Sequence, residues 1–253
     1  MMLLVTGASG FIGARLCQAW CGRGAQVVGT YLSAPTSVPT GVEQVELDVR
    51  DTVAVANVMR RCRPDVVIHS AGLASLQACE EHPHDADACN REGSANVASA
   101  AREVGARTIY ISTDLVFDGG RGWYRDTEVP RPICCYGIAK HEGEKAILAQ
   151  CPNACILRLS WVYGTSINGR MSATEILVHA LRRGSRVELF TDEYRTPLLV
   201  DDVVAVVEVV IYCVGKLAIG ILDVFEKKTK TTPQNTLTNC RRRFAAFKKE
   251  DTP

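Results

Sequence analysis

The chain has 253 residues, of which 47% are hydrophobic and 23% charged, and its formal net charge at pH 7 is +1. This composition is typical of a folded globular protein and lacks the charge excess of nucleic-acid-binding proteins. No uninterrupted apolar run is long enough to cross a bilayer. We therefore expect neither nucleic acid nor a membrane as a partner.

The cysteines and the N-terminus bear on the cellular compartment. The eleven cysteines include no Cys-x-x-Cys pair, and an odd number of this kind suits free thiols in a reducing compartment. A strand-like run begins at Leu3, which leaves no room for a signal peptide. We therefore predict a cytoplasmic protein. The acidic and histidine-rich stretch 80–85 is interpreted as a solvated loop, and no metal site is predicted.

Strand-like and helix-like runs alternate over the first two hundred residues. Strands are predicted at 3–5, 26–30, 45–47, 65–69, 108–112 and 155–159. Helices are predicted from the first glycine-rich loop to Cys21, over 52–62, over about 85–104, and from about 135 onward. Short apolar strands separated by helices indicate a parallel sheet covered on both faces. The predicted fold class is therefore α/β, with a doubly wound parallel sheet.

The loop after the first predicted strand reads Thr6-Gly-Ala-Ser-Gly-Phe-Ile-Gly13. Glycines at this spacing allow a tight turn, a close approach to a pyrophosphate, and packing of the following helix on the strand. The helix N-terminus then offers N–H groups to the phosphates. We therefore predict a dinucleotide site. The predicted contacts are Gly7, Ser9, Gly10, Phe11, Ile12 and Gly13.

The end of the second predicted strand bears on which dinucleotide is bound. An acid at this place would bind the ribose 2′-hydroxyl of NAD. The sequence there is Thr30-Tyr-Leu-Ser33, with no acid and no arginine. NADP is therefore favoured, and NAD stays open. Asp48, followed by Val49, is a candidate for the adenine amino group or simply a polar residue at a strand end.

Tyr136 and Lys140 are four residues apart in a predicted helix, so their side chains share one face. An ammonium beside a phenol favours the phenolate and lowers the tyrosine pKa. A tyrosine in this arrangement is able to transfer a proton near neutral pH. A surface helix with an incidental Tyr–Lys pair is the alternative, and the spacing alone favours that alternative.

Several ordered motifs resemble the extended short-chain dehydrogenase/reductases. They are TGASGFIG (6–13), LDV (47–49), HSAG (69–72), Ser112-Thr113 and YGIAK (136–140). The segments 112–120, 124–145, 156–164 and 192–203 are most similar to dTDP-4-dehydrorhamnose reductases. The similarity covers about residues 2–210.

The resemblance implies a chemical role for each matched residue. Tyr136 would donate a proton to a carbonyl oxygen that receives hydride at its carbon from the nicotinamide, and Lys140 would lower the tyrosine pKa and bind the nicotinamide ribose. Thr113 would bind the reacting oxygen, with Ser112 as its less favoured substitute. Ala71 and Gly72 would border the cofactor. Leu115 follows Asp114 where dehydratases of the family carry a glutamate, so reduction is predicted rather than dehydration.

The resemblance also implies a substrate and two classes of function. A 4-keto sugar nucleotide would contact Arg158, Trp161, Tyr163 and Arg195, each of which is equally well explained as a surface or structural residue. Asn90 is a weaker candidate on a helix that faces the site. An NAD(P)H-dependent reductase is predicted, with a homodimer as one candidate assembly. The alternative is a non-catalytic NADP-binding partner of a methionine adenosyltransferase catalytic subunit, resembling that enzyme's regulatory β subunit.

The similarity ends near Tyr212. Segments of a small, apparently incomplete substrate lobe are expected from about residue 160, within a dinucleotide-binding domain that spans 1–214. Residues 215–253 are polar and basic without clear periodicity, and they are predicted to form a divergent, disordered tail.

Overall fold

The computed structural model describes residues 1–33, 41–169, 171–188 and 195–212, together with the backbone of 220–221. The described elements fall within one compact unit, Met1–Leu222. The predicted tail, 215–253, lies outside the described residues except for the short strand at 220–221.

The strands and helices follow one another as an alternating series. In chain order they are β1 (Met2–Thr6), α1 (Phe11–Gly22), β2 (Gln26–Tyr31), β3 (Val42–Glu46), α2 (Thr52–Cys62), β4 (Val66–His69), α3 (Leu76–Glu81), α4 (Pro83–Asp87), a π-helical turn (Ala88–Glu92), α5 (Gly93–Val104), β5 (Arg107–Thr113), a 3₁₀ turn (Asp114–Val116), α6 (Cys135–Gln150), β6 (Cys155–Leu159), β7 (Val162–Tyr163), α7 (Ala173–Arg182), β8 (Leu198–Leu199), α8 (Val200–Tyr212) and β9 (Gly220–Ile221).

The main sheet of the described chain is parallel, with strand order β3-β2-β1-β4-β5-β6-β9. The chain thus starts in the middle of the sheet, builds outward to β3, and returns to add β4 beside β1. This order places the carboxyl ends of β1 and β4 side by side, with Thr6 paired to His69. Because ligands of such sheets bind at the point where the strand order reverses, this edge positions the site.

Apolar side chains cover both faces of the sheet, as a doubly wound fold requires. One face packs on α1 and α8 through residues that include Leu3, Val5, Leu16, Trp20, Val203 and Val207. The other face packs on α2 and α5 through residues that include Leu4, Val28, Val55, Met59, Val97 and Ala101. The predicted fold class is confirmed.

Local sequence explains where several helices begin and end. The Asp51 side chain accepts hydrogen bonds from the backbone N–H groups of Val53 and Ala54, both at 2.9 Å, so α2 begins at Thr52. Arg63 ends α2 in the left-handed conformation, with φ 42°. Ser172 and Glu175 form a capping box at the start of α7. Helices α2 and α7 therefore begin where a side chain satisfies their first free N–H groups.

The segment 80–104 differs from the prediction in two ways. The predicted loop at 80–85 is wrong, because α3 continues to Glu81 and Pro83 begins α4 at a position where a missing N–H is tolerated. The single helix predicted for about 85–104 is interrupted by the π-helical turn Ala88–Glu92. This turn carries Asn90, which is completely buried.

The described residues contain no group of three or more His, Cys, Asp or Glu side chains arranged to hold a metal ion. Nine of the cysteines are described, and none of these nine forms a disulfide. No helix in the described ranges has the length and apolar character needed to cross a membrane.

Candidate functional site

The glycine-rich loop closes tightly between β1 and α1. Gly7 has φ +69°, and a Cβ added to it would lie 2.7 Å from the backbone nitrogen of Ala71. A Cβ added to Gly13 would lie 2.2 Å from the Gly7 carbonyl oxygen. Gly10 precedes α1 without a side-chain cap, so the first N–H groups of the helix remain available to an anion. Ser9, Phe11 and Ile12 complete the predicted contacts and are half-buried.

The close approach of Gly13 to the Gly7 carbonyl leads to a testable prediction. We expect Gly13→Ala to displace the Gly7 carbonyl and weaken NADPH binding by about tenfold or more, which is about 1.4 kcal/mol. Fluorescence titration of NADPH measures this change. Gly22→Ala is the matched control in the same helix, because a Cβ there meets nothing within 4 Å. Equal affinities for the two variants would contradict the prediction.

The loop after β4 forms the neighbouring wall of this edge. Ala71 donates its backbone N–H to Thr6 Oγ1 at 3.2 Å. A Cβ added to Gly72 would lie 2.6 Å from Asn90 Oδ1. The Asn90 side chain binds both backbone groups of Leu73. Its Oδ1 accepts from Leu73 N–H at 2.9 Å, and its Nδ2 donates to the Leu73 carbonyl at 3.0 Å. The predicted contacts Ala71 and Gly72 therefore lie in a narrow, fixed backbone segment beside the glycine loop.

Asp48 and Val49 follow β3. Both Asp48 oxygens accept hydrogen bonds from the Arg50 guanidinium, at 2.7 to 3.0 Å, and this pairing lowers the pKa of Asp48. Val49 is buried, and its side chain packs where a Cβ on Gly93 would lie, while its carbonyl accepts from Asn96 at 3.0 Å. Asp48 thus meets an arginine that the sequence analysis did not consider.

Tyr136 and Thr113 come together at the carboxyl end of β5. Tyr136 is the second residue of α6, and Thr113 is the last residue of β5. Burial raises the pKa of Tyr136 to about 12, helped by Cys79 and Asp114, while a hydrogen bond from the Thr113 side chain acts in the opposite direction. The phenol is therefore protonated at neutral pH, which is the form that a general acid requires.

Lys140 lies one turn further along α6 and is buried. Its Nζ lies 4.0 Å from the centre of the Tyr110 ring and 3.9 Å from the Cβ that Gly72 lacks. Burial lowers the pKa of Lys140 to about 7, against the attraction of Glu144. The expected lowering of the Tyr136 pKa by Lys140 is wrong for this arrangement, because burial dominates both groups. The two residues nevertheless share a helix face at the same edge of the sheet.

The lowered pKa of Lys140 predicts a pH-dependent stability. An unfolded lysine keeps its proton up to about pH 10.5, whereas folded Lys140 loses it near pH 7. The unfolded chain binds the extra proton between these values, so the free energy of unfolding rises with pH from about 7, by up to about 1.4 kcal/mol per pH unit. Lys140→Met removes this slope, and urea unfolding between pH 6 and 8.5 measures it.

Lys145→Met is the control for this prediction. Lys145 lies on the same helix but is exposed and paired with Glu142 at 2.7 Å. We expect this variant to keep the wild-type pH slope. Parallel curves for Lys140→Met and the wild type would show that Lys140 is an ordinary charged lysine.

Ser112 and Arg158 belong to a buried network rather than to an open surface. Ser112 donates to Glu144 Oε1 at 2.6 Å. Arg158 Nε and Nη2 donate to the two Glu144 oxygens at 2.9 and 2.7 Å, and the guanidinium lies over the Phe117 ring. Both ionic side chains are 3% exposed. Glu144 thus binds the Ser112 hydroxyl and two of the three Arg158 nitrogens, while Arg158 Nη1 is buried without a hydrogen-bond partner. The predicted substrate contacts of Ser112 and Arg158 are not supported by this buried geometry.

The other three predicted substrate residues are accessible. Trp161 is 40% exposed. Tyr163 borders an open groove of about 470 Å³ that it shares with residues of α7, among them Glu175 and His179. Arg195 Nη1 lies 3.8 Å from Oδ1 of Asp114, the residue that follows Thr113. These positions are compatible with contacts to a ligand that reaches Thr113.

Two residues of the site were missed by the sequence analysis. Glu144, four residues after Lys140, holds Ser112 and Arg158, and its spacing on the helix was the available signal. Asn168 donates its side-chain N–H to the Ser9 carbonyl at 2.8 Å and so connects the glycine loop to the segment after β7. The partners are 159 positions apart, and no local pattern identifies Asn168.

Comparisons with known proteins identify a family and several relatives. Residues 1–226 match the family described as RmlD substrate binding domain. A protein of Haloferax volcanii described as "probable low-salt glycan biosynthesis reductase Agl14" is 34% identical over 200 residues, which are 78% of this chain and 66% of that protein. Methionine adenosyltransferase 2 subunit beta of Bos taurus is 34% identical over 175 residues, which are 69% of this chain and 51% of that protein.

A solved structure is also similar. It is the dTDP-4-dehydrorhamnose reductase of Bacillus anthracis in complex with NADP, with a TM-score of 0.72 and 26% identity. The match covers 88% of this chain and 74% of that chain. The chain thus spans between half and two thirds of the length of the two curated relatives.

Proposed function

Because this chain belongs to the RmlD substrate binding domain family, we propose that it is an NADPH-dependent reductase of a 4-keto sugar nucleotide. The observation that carries the proposal is the meeting of Tyr136 and Thr113 at the strand edge that the glycine loop also borders. The named reductases of Haloferax volcanii and Bacillus anthracis support the same reaction class.

The glycine loop supports the proposed cofactor. Gly7 and Gly13 let the loop pack tightly against its neighbours, where a Cβ would strike backbone atoms, and the uncapped start of α1 leaves N–H groups for a pyrophosphate. Ala71 and Gly72 would border the nicotinamide half. NADP is preferred over NAD because no acid follows β2 to bind a free 2′-hydroxyl, and the similar reductase structure contains NADP. The cofactor supplies the hydride.

The side chains of α6 and β5 support the proposed proton transfer. Tyr136 keeps its proton at neutral pH and would donate it to the carbonyl oxygen of the substrate as that oxygen becomes negative. Thr113 would hold the same oxygen through its hydroxyl group. Lys140, next to Gly72, would bind the nicotinamide ribose and provide positive charge beneath the developing oxyanion.

Substrate contacts are proposed for the accessible residues. Arg195 would bind the diphosphate, since a guanidinium fork binds phosphate oxygens in pairs. Trp161 and Tyr163 would contact the sugar or the base. We also propose a dinucleotide-binding domain that spans 1–214 and a cytoplasmic location. The location is supported by the nine described cysteines, none of which forms a disulfide.

The experiment that tests the proposal is NADPH oxidation with a panel of 4-keto sugar nucleotides. We expect absorbance at 340 nm to fall with at least one of them, and the product to carry a hydroxyl group at C4. No oxidation with any member, in a protein that NADPH protects against thermal unfolding, would reject the reductase assignment while retaining the cofactor site.

A second function is favoured by the similarity to the bovine methionine adenosyltransferase subunit. Under this alternative the chain binds NADP and a methionine adenosyltransferase catalytic subunit, without turnover of its own. Co-purification with a catalytic subunit, combined with no reductase activity, would support it. Turnover of a sugar nucleotide that Tyr136→Phe abolishes would reject it.

A further inference from the structure

A chain of buried hydrogen bonds runs behind the proposed cofactor site. Thr6 Oγ1 lies 2.7 Å from His69 Nδ1, and His69 Nε2 lies 3.0 Å from Ser94 Oγ. All three residues are completely buried. This series of hydrogen bonds crosses from β1 through β4 to α5. None of the three residues belongs to the motifs expected to contact substrate or to transfer a proton.

The chemistry of the end groups fixes the direction of every bond in this chain. Ser94 Oγ lies 2.6 Å from the Asn90 carbonyl, which can only accept, so Ser94 donates there. The Ser94 oxygen is then free to accept from His69 Nε2–H. The Thr6 oxygen accepts from Ala71 N–H at 3.2 Å, and its own hydroxyl proton finds an acceptor in His69 Nδ1, at 2.7 Å, when that nitrogen carries no proton. The neutral Nε2–H form of His69 therefore satisfies all four bonds and also gives the Thr6 hydroxyl proton an acceptor.

Both ends of the chain hold backbone that borders the dinucleotide site. At one end, Ala71 N is the atom that a side chain on Gly7 would strike, at 2.7 Å. At the other end, the π-helical turn carries Asn90, which clamps both backbone groups of Leu73 and lies against Gly72. The series of hydrogen bonds therefore connects the contact at Ala71 with the contacts at Leu73, the two ends of the segment 71–73.

We propose that His69, in its neutral Nε2–H form, is a positioning residue that fixes the backbone of 71–73 against the glycine loop. This proposal deepens the proposed function and rests on it, because the fixed segment matters as a cofactor-binding wall. His69 is completely buried and acts through its hydrogen bonds with Thr6 and Ser94.

The surroundings of His69 keep it neutral. The Tyr110 ring stacks on the imidazole, with ring centres 5.3 Å apart, and the Lys140 ammonium lies over the same Tyr110 ring. Burial first, and then the charge of Lys140, lower the pKa of His69 to about 3. A second proton would also turn Nδ1 from an acceptor into a donor, and the Thr6 hydroxyl proton would then lose its acceptor.

Substitution of Thr6 tests the proposal without changing the shape of the core. Thr6→Val replaces the hydroxyl by a methyl group, so Ala71 N–H and His69 Nδ1 both lose their partner. We expect this variant to bind NADPH about tenfold more weakly in a fluorescence titration. Thr6→Ser keeps the hydroxyl and should bind within about threefold of the wild type. Circular dichroism confirms folding at the titration temperature.

Val67→Ala is the matched structural control. Val67 lies two residues before His69 on β4, on the same face of the sheet, and packs in the apolar cluster of α2 and α5. Its loss weakens the core without touching the hydrogen bonds. We expect its NADPH affinity to stay near that of the wild type. An equal loss of affinity in Val67→Ala and Thr6→Val would overturn the proposal, as would wild-type affinity in Thr6→Val.

A second measurement does not depend on any ligand. Nitrogen-15 NMR of the imidazole rings should show His69 with its proton on Nε2 and uncharged from pH 5 to 8. His69→Leu identifies the resonance by its disappearance, and Thr6→Val identifies it by a shift should His69→Leu fail to fold. A proton on Nδ1, or titration near pH 6.5, would overturn the proposal.

The outcomes separate this inference from the proposed function. If the wild type itself does not bind NADPH, the proposed cofactor site fails, and the positioning role fails with it. If the wild type binds NADPH and the Thr6 variants bind equally well, only the inference about His69 fails.

Discussion

Replacing Tyr136 by phenylalanine should lower reductase turnover by about 10²–10⁴-fold, because the variant keeps the ring and loses the proton that general acid catalysis needs. Tyr136 is half-buried next to Thr113, and its pKa of about 12 keeps that proton in place at neutral pH. Steady-state NADPH oxidation with the preferred 4-keto sugar nucleotide measures the loss.

A comparison of the loss of turnover with the change in NADPH affinity makes this prediction specific to proton transfer. The NADPH dissociation constant of Tyr136→Phe should change far less than turnover, since the glycine loop and the segment 71–73 are untouched. Tyr212→Phe is the control, because Tyr212 is an exposed tyrosine at the end of α8. Turnover of Tyr136→Phe within threefold of the wild type would exclude Tyr136 as the proton donor.

Replacing Glu144 by alanine should destabilise the protein by about 3–5 kcal/mol, because it leaves the buried Arg158 charge without its partner. Glu144 is the acceptor for Ser112 and for two nitrogens of Arg158, and it lies 3.4 Å from His141 Nδ1. Urea unfolding measures the change in free energy. Ser112 is joined to Thr113 in β5, so we also expect turnover to fall in molecules that remain folded.

Two further variants separate the buried charge from a general effect on α6. Glu142→Ala removes an exposed carboxylate from the same helix, where an ion pair contributes about 0–1 kcal/mol. The double variant Glu144→Met/Arg158→Met should recover much of the lost stability, since removing both charges avoids an unpaired one. Similar losses in Glu142→Ala and Glu144→Ala would contradict the assignment of Glu144 to a buried network.

The sequence predicted the elements whose signals are local. The helix expected at 52–62 has the bounds of α2, because Asp51 caps one end and an apolar stripe faces the sheet. The strands β1 and β4 at the centre of the sheet were found because all their residues but the last are apolar. The edge strand β3 begins at Val42, earlier than expected, since an edge strand is half-exposed and its apolar signal is weak.

The features that the sequence did not predict depend on contacts between distant elements. The π-helical turn forms where the Asn90 side chain binds Leu73, and the spacing of apolar residues in 85–104 does not predict it. Arg158 was predicted as a substrate residue because motif similarity does not reveal that Glu144 lies beside it in the folded chain. The pKa values of Tyr136 and Lys140 follow burial, which a four-residue spacing does not specify.

The π-helical turn also limits how this segment tolerates changes in length. Such a turn accommodates one residue more than an α-helical turn, and each residue rotates a helix by about 100°. Deleting one residue within 88–92 would therefore restore a regular α-helix, but the residues after the deletion would be rotated by about 100° about the helix axis relative to those before it. Asn90 and Ser94 could no longer point at Leu73 and His69 together. Homologues with a shortened segment here should have lost the paired polar contacts as a set.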